Sequence, residues 1–137
     1  MKQRIQYKAN YGVAKKNLFG KTKVTGSVEV KTVILFDDVK FTVCLYGIDR
    51  SDGIGPHDEK IRFSYDNIEE IIIDEDYDYF DVVMKDGTTQ IINEEVYYAK
   101  KSNKFFIAKD KIKDFYIILK QLEKFSFSDI KMDDEEE

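Results

Sequence analysis

The sequence predicts a mainly β domain closed by one C-terminal α-helix, and three observations carry that prediction. Apolar residues recur with a period of two: Ile61, Phe63 and Tyr65 alternate with Lys60, Arg62 and Ser64, and Phe80, Val82 and Met84 alternate with Asp81, Val83 and Lys85. Turn chemistry punctuates these runs, with Asp37-Asp38 and Asp86-Gly87 standing between apolar stretches. From Asp110 the period changes, and Ile112, Phe115, Leu119 and Leu122 follow at intervals of three and four.

Taken in order, residues 1–23 form a basic, partly irregular lead-in, with a short edge strand at Ile5-Gln6-Tyr7-Lys8 and a helical turn or loop over Val13 to Leu18. Gly26 to Phe36 is rich in β-branched residues and reads as a strand. Asp37-Asp38 then turns the chain into a second strand, in which Val39, Phe41, Val43 and Leu45 share one face. Gly47 to Glu59 packs three glycines and the only proline into a surface loop. Lys60 to Ile92 supplies the central strands, kinked by a bulge or turn at Asp66-Asn67. Asp86-Gly87 tolerates the positive φ of a two-residue turn, so Thr88 to Asn93 is expected to fold back along the strand from Phe80. Asn93 to Lys104 fits either a helical turn or a loop, and Phe105-Phe106-Ile107 is the last expected strand. The amphipathic helix over about 110–125 follows, with Asp110 as N-cap and Asp114 near the positive end of its dipole. The domain therefore spans residues 1–127, and residues 128–137 form a self-repelling acidic tail expected to be disordered.

At 137 residues the chain suits one domain with one core, and an apolar fraction of 42% with 14% aromatics suits packing rather than disorder. The single cysteine, Cys44, cannot form an internal disulfide, and the first residues carry no apolar h-region, so a soluble protein of the reducing cytoplasm is the expectation. No apolar run approaches the roughly 20 residues of a membrane-spanning helix. The net charge of −5 conceals segregation: residues 1–31 carry +7, residues 32–99 carry −12, residues 100–131 carry +5 and residues 132–137 carry −5. Such a layout steers charged partners if it survives folding.

No catalytic set assembles from the sequence, and each chemical candidate competes with a plainer role. Asp74, Asp76 and Asp78 alternate like the opening ligands of a calcium loop, but Tyr79 stands where the loop needs glycine and Lys85 where it needs glutamate. With Asp81 they read instead as an acidic interaction surface, and no metal or cofactor is expected. His57, the only histidine, lies in the Gly/Pro-rich loop without a second ligand, and Cys44 sits within a strand, where a packed thiol is commoner than a nucleophile. Lys15, Lys16, Lys21 and Lys23 form a basic cluster around Phe19 and Gly20, suited to an anionic headgroup or a phosphorylated segment. The acidic overall balance argues against nucleic acid.

Strands first and one amphipathic helix last is the order of the pleckstrin-homology superfold, and the likeness extends to local sequence. Gly26 to Phe36 resembles the opening strand of GRAM and bacterial PH-like domains, and IRFSYDNIEEII at Ile61 to Ile72 resembles their I-x-h-x-Y-x-x-I-x-x-I segment. The stretch from Phe80 to Ile92 resembles the hairpin that follows, and IKDFYIILKQL at Ile112 to Leu122 resembles the closing helix. The resemblance covers residues 20–125 and implies a bent antiparallel sandwich plugged by the helix; a lipocalin-like barrel is the structural alternative. The chain departs from the pattern in having no tryptophan in the closing helix and no clear lysine/arginine arrangement of phosphoinositide binders. The implied function is a non-enzymatic binding module for a protein segment or, second, an anionic lipid headgroup. The alternative from another class is an acidic inhibitor or immunity-type protein that occupies a basic site on a partner.

Overall fold

In the computed structural model, which describes residues 3–16, 22–48, 57–85, 90–92, 95–97, 101–122 and 130–132, the chain begins with its longest hairpin. Strand β1 (Gln3–Lys16) pairs antiparallel with β2 (Thr22–Phe36), from Gln3 opposite Phe36 to Lys16 opposite Thr22. The edge strand expected at Ile5 to Lys8 lies within β1, and the helical turn or loop expected over Val13 to Leu18 is corrected as far as Lys16, since Val13–Lys16 is also strand; residues 17 and 18 lie outside the described set. The cause is tertiary: Ile5, Tyr7 and Tyr11 stand on the inward parity and are buried, so core packing and the pairing to β2 override a weak local preference.

The turn at Asp37-Asp38 forms as expected. It leads into β3 (Lys40–Ile48), which pairs with Lys31–Phe36 of β2, and β4 (His57–Ser64) pairs with β3 to give a sheet in the order β1-β2-β3-β4. The surface loop expected over residues 47–59 is therefore shorter, because Gly47, Ile48 and His57–Glu59 belong to strands, and residues 49–56 lie outside the described set. The ladder shifts register between Leu45 and Ile48, and there Gly47 takes a φ of 80°, a left-handed conformation that glycine enters without steric cost.

A single 3₁₀ turn at Tyr65–Asn67 makes the kink expected at Asp66-Asn67 and starts the second layer. There β5 (Ile68–Asp74) pairs antiparallel with β6 (Tyr79–Met84). The expected return of Thr88 to Asn93 along β6 is corrected: β7 (Gln90–Ile92) pairs with β8 (Glu95–Tyr97) in a separate two-stranded sheet, while β9 (Ser102–Phe106) takes the place beside β6. Asp86-Gly87 lies outside the described residues. Side-chain chemistry favours β9. The Asp81 carboxylate accepts the Asn103 N–H at 2.9 Å and the Ser102 hydroxyl at 2.8 Å, and the Asn103 amide donates to the Val82 carbonyl at 3.0 Å. The final strand β10 (Ile130–Met132) runs parallel to β5, so the tail expected from residue 128 enters the sheet before the acidic run, which is not described. The second sheet thus has the order β10-β5-β6-β9.

Helix α1 (Ile112–Leu122) follows a 3₁₀ turn at Lys109–Lys111. Asp110 lies inside that turn, whose N-cap is Ala108, and so does not cap α1; Asp114 does occupy its first turn. The apolar face of α1 buries Ile112, Phe115, Ile118 and Leu119 in the core that both sheets share. The fully buried Phe115 ring lies 4.5 Å from Phe80, 6.1 Å from Phe36 and 6.4 Å from Phe41, which joins one helix to both layers. The architecture is a mainly β sandwich with one C-terminal helix, compatible with a bent PH-like arrangement, and among the described residues the sheets do not close into a barrel.

Candidate functional site

The outer edge of β1 and the side of α1 enclose an open groove of about 550 Å³. Sequence order separates these walls by more than a hundred residues, and only the packing of α1 under the sandwich brings them together. Gln3–Gln6 form the strand wall; Lys111, Asp114, Ile117 and Gln121 rise from the helix wall, with Ile5 and Ile118 at the base. Ile5 and Ile118 are nearly buried, at 5% and 8% exposed, whereas Ile117 is 41% exposed and offers an apolar surface to an incoming chain. Arg4 and Lys111 supply positive charge opposite the one carboxylate of Asp114. Gln3 Nε2 donates to Gln121 Oε1 at 3.4 Å across the groove.

Among the described residues β1 is the edge strand of its sheet, with β2 as its only strand neighbour. Further along, its inward tyrosines serve the other sheet. The Tyr7 hydroxyl donates to the Phe106 carbonyl at 2.7 Å, and the Phe106 N–H donates to the Tyr11 hydroxyl at 3.2 Å. Those bonds satisfy backbone groups on the edge strand β9 and close that corner with side chains rather than a strand. Burial above all, and then Tyr11 beside it, raises the pKa of Tyr7 far above the usual phenol range, so the hydroxyl remains a donor. The stretch Gln3–Gln6 precedes this corner and faces α1 instead. A sheet edge beside a helix is a geometry in which an extended peptide can add as a strand.

The acidic residues singled out from the sequence are not one surface. Asp74 is 5% exposed, and its Oδ1 accepts the N–H groups of Asp76 and Tyr77 at 2.9 and 3.1 Å, which shapes the turn between β5 and β6. Asp81 is 7% exposed and committed to β9. Asp78 is half-buried at a φ of 54°, with its carbonyl accepting the Ile107 N–H. Of the four, Asp76 is the exposed one. Two of the four, Asp74 and Asp81, spend carboxylate oxygens on donors of the neighbouring turn and strand. No group of His, Cys, Asp and Glu able to hold a metal ion occurs among the described residues.

Of the lysine cluster, Lys15, Lys16 and Lys23 come to the distal end of the β1–β2 hairpin, where Lys15 is directly opposite Lys23 and Lys16 opposite Thr22. Lys21 lies outside the described residues. His57 opens β4 opposite Ile48, and Cys44 is a buried free thiol beside Val33 and Lys60 in the ladder. Sequence reasoning missed the groove altogether; its readable trace was Ile117, an isoleucine off the main apolar stripe of the helix. No helix among the described residues is long and apolar enough to cross a membrane. None of the known family models, curated proteins or solved structures compared with the chain matches it.

Proposed function

We propose that this protein is a non-enzymatic binding module of PH/GRAM-like type that takes an extended protein segment as an added strand between β1 and α1. The observation that carries this reading is the open groove whose one wall is a sheet edge and whose other wall presents the exposed Ile117. Backbone hydrogen bonds to the edge would supply affinity, Ile117 an apolar contact, and Arg4 with Lys111 a preference for an acidic side chain in the segment. The anionic-headgroup reading stands second, on the register that sets Lys15 opposite Lys23 at the distal end of the β1–β2 hairpin. An acidic-inhibitor role draws on Asp76 alone of the four proposed acids exposed at the surface.

Selection from a displayed library of random peptides tests the groove. Peptides carrying an aliphatic residue near an acid are expected to emerge, and Ile117→Glu is expected to weaken them about tenfold or more at unchanged melting temperature, because Ile117 is already part-exposed. Peptides that bind the Ile117→Glu protein as well as the parent would place the binding surface elsewhere.

A further inference from the structure

The acidic run that follows β10 starts close to the groove, and strand register shows how close. Strand β10 runs parallel to β5 with Met132 opposite Ile73, and Ile73 is opposite Phe80, whose ring lies 4.5 Å from Phe115 of α1. Phe80 is in turn opposite Phe105, so β10 ends at the level where β9 passes through Ala108 into the turn Lys109–Lys111 and then α1. Three strand spacings separate β10 from β9 there, about 14 Å. Residues 133–137 are Asp-Asp-Glu-Glu-Glu, and five extended residues reach about 17 Å before their side chains are added.

Charge selects the direction of that reach. One further step of the parallel register sets residue 133 beside Asp74, and Glu75, Asp76 and Asp78 follow in the turn between β5 and β6. Like charges side by side oppose a longer β10. Two lysines beside the second sheet are already engaged, Lys104 at 5.2 Å over the Tyr79 ring and Lys101 at 2.8 Å from Glu69. The turn before α1 and the first residues of the helix carry Lys109, Lys111 and Lys113 against Asp110 and Asp114. Lys111 lines the groove, with Arg4 on the opposite wall. The Arg4 guanidinium donates to the neutral side-chain oxygen of Gln6, so its charge is left for an acid.

We infer that residues 133–137 of this same chain occupy the Lys111 end of the groove, so that the protein's own acidic segment stands where an incoming strand binds. A tether this short holds the acids at about millimolar effective concentration, which favours contact within one chain over contact between two. An incoming peptide with an acid for Arg4 and Lys111 must displace the segment before it pairs with β1. This self-occupation rests on the groove reading for the competition it implies, not for the contact itself.

Zero-length carbodiimide cross-linking of the dilute full chain, mapped by mass spectrometry, reads the contact without any peptide. The expected product is an amide between Lys111 Nζ and a carboxylate of residues 133–137, confined to the monomer and lost as salt rises. The full-length variant Asp133→Asn/Asp134→Asn/Glu135→Gln/Glu136→Gln/Glu137→Gln reads the consequence. Library peptides whose binding depends on Ile117 should bind it about fivefold tighter than the parent, as an occupied fraction of about four-fifths implies, and salt should shrink that advantage. An unchanged melting curve verifies the variant's fold. Links from these acids only to other lysines, links only between two copies of the chain, or equal peptide affinity for the two proteins would each overturn the proposal. If no library peptide binds the groove, the binding-module reading falls, and the cross-link still decides whether the acids lie at Lys111.

Discussion

Asp37 shows how much one side chain can organise at a turn. Its Oδ1 accepts the N–H groups of Val39 at 2.8 Å and Lys40 at 2.9 Å, its Oδ2 lies 3.1 Å from the Lys40 ammonium, and its carbonyl accepts the Tyr65 hydroxyl at 2.8 Å. Burial pushes its pKa up, but the two N–H bonds and Lys40 outweigh it and hold the carboxyl below its ordinary range. The folded state therefore binds this proton less readily than the unfolded state. Its contribution is complete above the ordinary carboxylate pKa and disappears as pH falls through the lower folded value. Asp37→Ala should cost about 1–2 kcal/mol near neutral pH. Asp37→Asn keeps an acceptor but does not titrate, so in urea melts the gap between wild type and Asp37→Asn should shrink from pH 6 to pH 2.5. A gap that stays constant over that range would remove the charge from the explanation. The turn itself was legible, because an Asx turn is local chemistry between residues two and three apart. The Tyr65 contact was not, because twenty-seven positions of intervening chain separate its hydroxyl from the Asp37 carbonyl.

At the scale of elements, α1 holds the layers together through few residues. Phe115 is fully buried and touches aromatic rings from β2, β3 and β6, so truncation opens a void bounded by stiff strands. Phe115→Ala should destabilise by about 3–5 kcal/mol, measured by chemical denaturation, whereas Lys113→Ala on the exposed side should stay within about 0.5 kcal/mol. Comparable losses for the two would mean that the helix is not packed as described. The helix was legible from its spacing, and so were the inward faces of β4 and β6, because one period identifies one buried face. The partner of β6 was not legible. A strand alternating Phe80, Val82 and Met84 suits any neighbour with the same period, and the choice of β9 over β7 rests on Asp81, whose carboxylate looked like surface charge until Asn103 and Ser102 were beside it.

The whole molecule depends on a corner where two sheets meet through tyrosine hydroxyls. Tyr7→Phe leaves the ring in place but strands the Phe106 carbonyl at a half-covered edge, which should cost about 1–3 kcal/mol and lower the melting temperature by roughly 3–10 °C. Amide exchange at β9 should speed up more than exchange at β3, which has strand neighbours on both sides. Uniform acceleration across both strands would mean that the bond acts on global stability alone. Charge is also decided at this scale. The basic ends and acidic middle of the chain do not stay apart: Lys101 of the basic end lies 2.8 Å from Glu69 of the acidic middle, β4 brings Lys60 and Arg62 of the acidic segment beside β3, and Asp74 and Asp81 are buried. The sequence by itself determined the fold class, the central strands and the closing helix, since hydrophobic period and turn chemistry are properties of neighbours along the chain. Only the tertiary structure decided which strands pair, which charges share a face and where a groove opens. Those depend on contacts between distant segments, and a period of two is satisfied equally by many partners until side chains such as Asp81 and Tyr7 select one.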